Sequence, residues 1–578
     1  MKSALIFGVL SLQLIYVQVS GQNLDILLLH TNDMHGKFEE ITPKANSCHD
    51  MEKNKTCVGG FARLAHEIRK YRKWGEENSK KVLFLNAGDT FVGSDWYSVH
   101  KWRICSEFLN ALNIDVLTLG NHEFDEGVEA LKEFTKSLNC PIVTANINTA
   151  KLESVQKSTV LEVDGRKVGV VGYLTQETAY LSNVRELNIG DEIAAVKAET
   201  EKLDQEGVKI IIGLGHSGFE IDKTLAEQVP LLDVVIGGHT NTFLWNGPKP
   251  HEEEVMGPYP YVVTQKSGKK VPVVQAYAYT LYLGRLNVTF NKDGELIHFA
   301  GQPEYISSDI PQDQDILDIL ERYRPAVDAV NQEMVGTSSV YLDGNCRLIE
   351  CNFGNMITDA MIYYSAFNSK NDSGSWANAP IAIFNAGNVR NSINVTYTRG
   401  HITKGELLAA LPFDNVLVSV DLKGSVFLEA LEHTVENYEN NFISAQFLQV
   451  SGLRIVFDVS KERGHRVVSV KVRCSNCSIP TYNPLDLDAY YTILATDFIL
   501  NGGDGFGMIK DNAMNIHSHN VSLFDMMLWY LKVQSPVYPE VQGRIKFIES
   551  PSSSPSISAS FWLSLFPLVL CVLKLKEY

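Results

Sequence analysis

Five short segments in the first half of the chain combine carboxylate, imidazole and amide side chains with glycines. Aspartate and histidine with one amide oxygen form a donor set that suits a divalent metal ion such as zinc or manganese. Two such ions, bridged by a shared carboxylate, clamp a phosphoryl group and lower the pKa of a bound water, which becomes a nucleophile. The set predicts a two-metal phosphoesterase centre in which Asp89 is the bridge. The segments are HTNDMHG (30–36), GDT (88–90), GNHEFD (120–125), GHSG (215–218) and GGHTN (237–241).

Each segment follows an apolar run with the length of a buried strand. Amphipathic stretches at 61–74 and 192–206 lie between some of these runs, and this alternation is typical of a layered α/β domain. In an open α/β sheet, the loops at the carboxyl ends of the strands meet at one edge. We therefore expect the five segments to meet in space. The apolar runs are 24–30, 81–88, 115–120, 141–147, 167–174, 209–215 and the run that ends at Gly238.

Taken singly, these segments have ordinary structural explanations. A histidine after a strand is more often a core or surface residue than a ligand. Asp89 suits a plain turn, and Asp125 suits a helix N-cap. The most specific single segment is the one that contains Asn121 and His122. Because all five segments follow apolar runs in order, we prefer the metal-site interpretation.

The rest of the chain predicts a second domain. A chain of 578 residues exceeds one typical core. A β-rich stretch at 260–290 closes the first domain, which we place at 23–310. Apolar residues at helical spacing predict a connecting helix at 311–336, interrupted or kinked at Pro325. A second α/β domain follows at 337–549. The net charge of −17 argues against a nucleic-acid polymer as partner.

The N-terminal segment has the pattern of a cleaved signal peptide, which we place at 1–22. Lys2 precedes an apolar run that ends near Val17, and small residues follow at Ser20 and Gly21. A membrane anchor is the alternative, but the run is short for a bilayer span. We therefore expect an exported protein.

The C-terminal segment, 550–578, has the order of a GPI-attachment signal that is removed. Small residues around Ser552–Ser554 precede a polar spacer and an apolar run at 561–573. The polar end, KLKEY, departs from the usual apolar end of such signals. Attachment to the cell surface is the expectation, and a soluble secreted form is the alternative.

Export makes a disulfide framework the expected use of the cysteines. Eight of the nine cysteines lie outside the C-terminal signal. Three pairs are close in sequence, and Cys105 and Cys140 are then left to each other. Six N-x-S/T sequons suit a glycoprotein. The close pairs are Cys48–Cys57, Cys346–Cys351 and Cys474–Cys477, and the sequons are at Asn54, Asn287, Asn371, Asn394, Asn476 and Asn520.

These motifs resemble the calcineurin-like metallophosphoesterase domain of the 5'-nucleotidase family, and most closely its animal GPI-anchored ecto-enzymes. The resemblance continues through the second half and covers nearly the whole chain between the two terminal signals. It implies an N-terminal layered α/β metallophosphoesterase domain joined by a helix to a C-terminal α/β nucleotide-binding domain. The segments that carry it are LLHTNDMHG (28–36), GDTF (88–91), GNHEFD (120–125), GHSG (215–218), GGHTNTF (237–243), CRLIECNFGN (346–355), NAGNVR (385–390), LPFDN (411–415) and NGGDGF (501–506).

The resemblance also implies roles for the residues of the first domain. His122 and Asp125 would form a catalytic dyad in which the imidazole stabilises charge on the phosphoryl group and the carboxylate orients the imidazole. The two metal ions would be zinc, with manganese or another divalent ion as alternatives. One ion would be held by Asp33, His35, Asp89 and His239, and the other by Asp89, Asn121 and His216.

In the second domain the resemblance implies a nucleotide-binding set, which Asn121 of the first domain joins. Arginines would meet phosphate oxygens, two aromatic faces would hold a purine, and a carboxylate would accept from the ribose. Alone, the aromatic residues would be assigned to the core, and Arg347 to a surface ion pair. The family often has three glycines before the second arginine, where this chain has Asn385-Ala386-Gly387-Asn388. The set is Arg347, Asn385, Arg390, Phe413, Phe498 and Asp504.

The motifs and the resemblance are compatible with three functions. The first is an extracellular 5'-nucleotidase that hydrolyses AMP to adenosine and phosphate. The second is a secreted apyrase that cleaves ATP and ADP, which the predicted lipid anchor disfavours. The third is a non-catalytic binding protein on the same scaffold, which the complete set of ligands disfavours. The resemblance further implies a homodimer through the second domain, and rotation of the two domains about the 310–336 helix.

Overall fold

The computed structural model describes residues 23–46, 48, 56–148, 151–182, 184, 187–368, 375–396, 398–438 and 445–548. The predicted signal peptide and the predicted GPI signal lie outside these residues, as do the sequons at Asn54 and Asn371. None of the helices in this part of the chain has the length and apolar character needed to cross a membrane.

The N-terminal domain alternates strands with helices, as its apolar runs predict. Its helices are α1 (Phe61–Glu77), α2 (Asp95–His100), α3 (Trp102–Ala111), α4 (Gly127–Ser137), α5 (Thr178–Leu181), α6 (Glu192–Gln205) and α7 (Phe219–Gln228). Its strands are β1 (Leu24–Thr31), β2 (Lys81–Asn86), β3 (Val116–Thr118), β4 (Ile142–Val143), β5 (Val155–Gln156), β6 (Ser158–Val163), β7 (Arg166–Leu174), β8 (Ile210–His216), β9 (Val234–Ile236), β10 (Tyr261–Thr264), β11 (Lys270–Val274), β12 (Tyr282–Phe290), β13 (Leu296–Gly301) and β14 (Glu304–Tyr305).

These strands form two stacked sheets. The first has the order β13-β12-β1-β2-β3-β4-β5, with β14 beside β12, and the second has the order β10-β11-β9-β8-β7-β6. Leu28 and Leu85 of the first sheet belong to the same buried cluster as Val170 and Ile212 of the second. Helices α1, α3 and α4 contribute to a different cluster, on the outer face of the first sheet. The layers are therefore helix, sheet, sheet and helix, with the main apolar burial between the sheets.

A long helix, α8 (Gln314–Gln332), connects the two domains. It lies within the predicted segment, and it continues through Pro325 without interruption. Ile316, Leu320 and Val327 recur at helical spacing on its buried side and join the outer cluster of the first domain. The helix is thus packed against the N-terminal domain along its length.

The C-terminal domain has one large core beneath a five-stranded sheet with the order β19-β16-β23-β18-β24. A four-stranded sheet (β22-β21-β20-β25) and the pair β15–β17 complete it. Its helices are α9 (Asn352–Asn368), α10 (Lys404–Ala410), α11 (Gly424–Thr434), α12 (Asp497–Leu500), α13 (Gly507–Asn512) and α14 (Leu523–Gln534). Its strands are β15 (Met334–Thr337), β16 (Ile381–Asn385), β17 (His401–Thr403), β18 (Val416–Lys423), β19 (Leu448–Ser451), β20 (Leu453–Phe457), β21 (Val467–Arg473), β22 (Tyr482–Pro484), β23 (Tyr490–Thr496), β24 (Met514–Ser522) and β25 (Ile545–Phe547).

The three disulfides between cysteines close in sequence are confirmed: Cys48–Cys57, Cys346–Cys351 and Cys474–Cys477. The pairing of Cys105 with Cys140 is wrong, because both are free thiols. Cys105 is buried in the middle of α3, whereas Cys140 lies beside Asn110 at the end of that helix. Five residues along a helix separate these positions by about 7 Å, so the two thiols occupy different environments.

Candidate active site

The carboxyl ends of five strands bring the predicted ligands together. Asp33 and His35 follow β1, Asp89 follows β2, and Asn121 follows β3, all in the first sheet. His216 ends β8, and His239 follows β9, in the second sheet. The convergence is confirmed, but the site lies where two stacked sheets meet rather than at the edge of a single sheet.

The loops that carry the ligands are held in a backbone conformation that is rare for residues with side chains. Asp33, His35, Asp89 and His239 have φ values of 51°, 47°, 56° and 80°. Such conformations cost energy and are found where the surroundings enforce them, often at functional sites. The amides of Asp33 and His35 donate to the carbonyls of Gly88 and Asp89, at 3.0 Å each. These bonds lock the first two loops to each other.

The ligand atoms lie at separations suited to shared metal ions. His216 Nε2 is 3.0 Å from Asp89 Oδ2 and 3.9 Å from Asp33 Oδ1. His35 Nε2 is 3.8 Å from Asp33 Oδ1 and 4.0 Å from Asp89 Oδ2. Two donors on one tetrahedral zinc ion stand about 3.4 Å apart. Asp89 is central to both groups, as expected of a bridging carboxylate.

Two buried polar atoms support the fit of cations to this centre. Asp33 Oδ1 and His216 Nε2 are buried without a well-aligned hydrogen bond among the described residues, although His216 Nε2 lies close to Asp89 Oδ2. Although burial lowers it, the pKa of His216 is raised to about 10 by the charges of Asp89 and Asp33. A buried site that favours a proton so strongly also favours a metal cation in its place. The donor set therefore fits divalent metal ions.

The geometry favours a different division of the ligands at one residue. His239 Nδ1 lies 2.9 Å from Asn121 Oδ1, and His239 forms a potential ligand group with Asp89 and His216. These contacts place the imidazole of His239 nearer the predicted ligands of the second ion. Asn241, two residues further on, has a buried amide oxygen without a hydrogen-bond partner in the described chain.

The predicted dyad is formed, and a third residue extends it. His122 Nδ1 donates to Asp125 Oδ2 at 2.6 Å, and the Ser182 hydroxyl donates to the other oxygen of Asp125. Burial lowers the pKa of His122, but the charges of Asp125 and Asp89 outweigh this and raise it. Asp125 is not a side-chain N-cap, since α4 begins at Gly127 without one. Ser182 follows α5, and nothing in the sequence around it indicates a contact with Asp125.

Glu123 organises two of the ligand loops from beneath. Its carboxylate accepts backbone N–H groups from Asp89 and Gly120, at 2.9 and 2.7 Å, and from Thr90 and Phe91, at 2.7 and 3.2 Å. Burial nevertheless raises its pKa to about 7. A methyl group at Gly120 would lie 2.1 Å from Asp89 Oδ1, so only glycine fits there. Glu123 thus positions ligands without being one.

Arg390 of the C-terminal domain reaches this centre, and Arg347 lies near Arg390. Arg390 Nη2 is 3.5 Å from both ring nitrogens of His35. The pKa of Arg347 is lowered, first by burial and then by the charge of Arg390. Within the described residues, no carboxylate lies within 4.0 Å of either guanidinium. The carboxylates of the metal centre, Asp33 and Asp89, pair with His35 and His216 instead. Two neighbouring arginines without acidic partners, one of them beside the predicted ligand His35, have the chemistry to bind an anion.

The remaining predicted residues line the same cleft from the C-terminal domain. The rings of Phe413 and His122 stack with centroids 6.0 Å apart. Asn385 donates to the carboxylate of Asp504, which has a φ of 51° in its turn. Phe498 packs so closely on Gly503 that a side chain there would lie 2.5 Å from its ring. Phe498 therefore packs against the turn that carries Asp504.

Asn388, where the family often has glycine, lies in a 3₁₀ turn (Ala386–Asn388). Its amide donates to Asn385 Oδ1 at 2.8 Å. The asparagine thus supports Asn385, which in turn holds Asp504.

An interdomain contact that the sequence did not indicate closes one side of the cleft. Lys37 Nζ donates to the carbonyl of Gly93 at 2.7 Å and to Asn391 Oδ1 at 3.0 Å. Asn391 Nδ2 also donates to Gly93, at 3.1 Å. Burial lowers the pKa of Lys37 to about 7. Since Asn391 follows Arg390, this contact fixes the loop that carries one of the two arginines predicted to bind phosphate.

Comparison with known proteins agrees with this architecture. Residues 26–243 match the calcineurin-like phosphoesterase family, and residues 334–511 match the 5'-nucleotidase C-terminal domain. The chain is 40% identical to the 5'-nucleotidase of Homo sapiens over 556 residues, 94% of each chain. It is 39% identical to an apyrase of Tabanus yao over 532 residues, which cover 90% of this chain and 93% of the apyrase.

A solved structure gives the same result. The 5'-nucleotidase precursor of Thermus thermophilus superposes with a TM-score of 0.80 at 34% identity, over 91% of this chain and all of that one. Both domains of the fold are therefore present in their usual order. The chain belongs to the 5'-nucleotidase family and is a metal-dependent phosphoric monoester hydrolase.

Proposed function

We propose that this protein hydrolyses nucleoside 5'-monophosphates outside the cell and converts AMP to adenosine and phosphate. The observation that carries the proposal is the position of Arg390, whose Nη2 lies 3.5 Å from the ring nitrogens of His35. Arg347 lies near Arg390, and neither guanidinium has an acidic partner in the described structure. A phosphate between them is bound by the arginines on one side and by the metal centre on the other. The full-length similarity to 5'-nucleotidases supports the same substrate class.

The metal ions that we propose are two zinc ions. Asp89, Asn121, His216 and His239 would hold one of them. Asp33, His35 and Asp89 would hold the other, with the unpartnered amide oxygen of Asn241 as the additional donor. When bound, the ions supply a water of lowered pKa as nucleophile.

The protein groups orient the substrate around this centre. His122, fixed by Asp125, presents Nε2 to a phosphoryl oxygen and stabilises the charge that develops there. Arg347 and Arg390 bind the other oxygens. Asn121 contacts the phosphate from the first domain.

The second domain recognises the nucleoside. Phe413 and Phe498 provide aromatic faces for a purine. Asn385 and Asp504 meet the ribose, whose hydroxyls can donate to the carboxylate. Recognition of base and sugar by one domain, and of phosphate by both, requires the cleft to be closed when the bond breaks.

The apyrase of Tabanus yao favours a second substrate class, nucleoside di- and triphosphates. The predicted lipid anchor favours the first class. We further propose export through the N-terminal signal, attachment to the cell surface by a GPI lipid, and a homodimer through the C-terminal domain. Their support is the sequence pattern of the two ends and the family resemblance.

Phosphate release from AMP, ADP and ATP at matched concentrations tests the substrate. The purified protein is assayed with zinc before and after a chelator, beside a His122→Asn variant of equal metal content. We expect chelator-sensitive release mainly from AMP, and little from the variant. Preference for ADP and ATP would identify an apyrase instead. No release from any of the three would contradict both enzymes and favour a binding scaffold.

A further inference from the structure

A groove of about 360 Å³ lies on the outer face of the first sheet, beside the C-terminal turns of α1. Trp74 and Tyr71 of the helix form one wall, and Gln302 lies on the other. The Trp74 side chain is 40% exposed, which is unusual for so large an apolar surface on a helix that packs against the sheet. The groove therefore presents a flat aromatic wall to solvent.

Asn287, the asparagine of one sequon, lines this groove. It lies on β12, paired with Leu27 of β1 on one side and with Ala300 of β13 on the other. Its neighbours Leu286 and Val288 point into the core between the sheets. The Asn287 side chain consequently points outward, where it is exposed. The hydroxyl of Thr289, which completes the sequon, also lies on this face and donates to Asp25.

We propose that Asn287 carries an N-linked glycan whose first sugars lie in this groove against Trp74. The modification takes place on the unfolded chain in the secretory pathway. There the amide nitrogen of Asn287 bonds to C1 of a sugar on a lipid-pyrophosphate donor. The bond between that carbon and the pyrophosphate breaks, and the lipid pyrophosphate leaves with the amide proton. Folding then brings the attached sugar next to the aromatic wall.

The chemistry of the groove matches that of a sugar. The apolar ring face of a pyranose covers an indole and removes both surfaces from water. Arg285, which also lines the groove, donates through Nε to the carbonyl of Gln302 and through Nη1 to the Tyr71 hydroxyl. Its Nη2 and the amide oxygen of Gln302 can meet the sugar hydroxyls and carbonyl. A glycan attached at Asn287 would cover the exposed face of Trp74, and no second protein would be needed to do so.

Of the three other described sequons, Asn394 is half-buried, and the remaining two are exposed. Asn476 is exposed between the disulfide-bonded Cys474 and Cys477. Asn520 is exposed on the edge strand β24. A glycan at either position would extend into solvent, so of the three described positions that are exposed, only Asn287 is expected to hold its glycan against the fold.

Enzymatic removal of the glycan tests this arrangement. The full chain is produced in mammalian cells behind a standard secretion leader, so that the result does not depend on the proposed export of its own N-terminal segment. Peptide N-glycosidase, which cleaves at the first sugar, is applied to the native protein, and occupancy is read by glycopeptide mass spectrometry. We expect Asn287 to be occupied and its native release to be at least tenfold slower than release from denatured protein.

The Trp74→Ala variant removes the wall, and Tyr538→Ala, at an exposed residue of the other domain, is the matched control. We expect the first variant to speed native release at Asn287 several-fold and the second to leave it unchanged. A melting temperature within a few degrees of the parent protein ensures that both variants are folded, and Trp74→Leu repeats the test with a less drastic change. An unoccupied Asn287, or a release rate that neither Trp74 variant alters, would overturn the proposal.

Discussion

The rings of His122 and Phe413 stack with their planes 25° apart, although they belong to different domains. His122 lies in the turn after β3, and Phe413 follows α10. The imidazole of the dyad and one wall of the proposed purine site are thus in direct contact. A base that stacks on Phe413 is therefore close to the metal centre. This short separation between the base and the phosphate site suits a nucleoside monophosphate.

Replacement of Phe413 by alanine should affect both binding and turnover. Loss of a stacking face should raise KM for AMP about tenfold, and loss of the support for His122 should also lower kcat. Phe498→Ala is the matched control, because Phe498 packs on Gly503 rather than on the dyad. It should raise KM and leave kcat nearly unchanged. Steady-state kinetics of both variants separate the two effects, and identical kinetics would contradict the role of the His122 contact.

Ser182→Ala should lower kcat about fivefold with little change in KM. The reason is that Asp125 loses one hydrogen bond and orients His122 less firmly. Ser98→Ala, which removes a hydroxyl bonded to the carbonyl of Ser94, is the control and should be neutral. In an Asp125→Asn background, Ser182→Ala should have no further effect. A full additional loss there would show that Ser182 acts by another route.

Glu123→Gln should weaken metal binding about 10- to 100-fold, as is typical when a residue that positions ligands is lost. In the parent protein both carboxylate oxygens accept backbone N–H groups. In the variant, one oxygen is replaced by an NH₂ group that cannot accept them, so the loops of Asp89 and Gly120 would shift. Zinc titration with a chromogenic competitor measures the affinity. Activity should return at high zinc. The exposed Glu129→Gln should bind zinc as the parent does, and an unchanged affinity in Glu123→Gln would refute the positioning role.

Lys37→Met should shift the domains towards a more open arrangement. The variant loses the hydrogen bonds to Gly93 and Asn391, and a closing contact that is lost commonly changes kcat and KM together. Small-angle scattering of the AMP-free protein should give a larger radius of gyration, with the zinc content unchanged. Lys132→Met, in an exposed helical ion pair, is the control. A radius of gyration equal to that of the parent would show that the Lys37–Asn391 contact does not hold the domains together.

The sequence predicts those features that local patterns determine. The strand before HTNDMHG is β1, the amphipathic stretch at 61–74 is most of α1, and the glycine-flanked ligands follow strand ends. Alternation of apolar residues cannot tell which strands share a sheet, so the division into two stacked sheets was missed. That division also places His216 and His239 next to each other, since His216 ends β8, His239 follows the paired strand β9, and their ring centroids lie 5.2 Å apart.

Contacts that depend on tertiary structure had no sequence signature. Ser182 reaches Asp125 across fifty-seven positions of the chain, and Lys37 meets Asn391 from another domain. Serine and lysine are common residues, and nothing in their neighbourhood marks these two. The free thiols of Cys105 and Cys140 make the same point: pairing by elimination ignores where a helix places each side chain.

The most direct test of the account is a metal titration of the protein stripped by a chelator. AMP hydrolysis is followed as zinc is added in fractions of the protein concentration, and bound zinc is measured by mass spectrometry of the metal. A two-metal centre gives no activity without zinc and a rise that saturates at two equivalents. Asp89→Asn should bind fewer than two equivalents and should not reach the activity of the parent protein. Activity that survives complete removal of the metal, or that is already full at one equivalent, would contradict a two-metal centre.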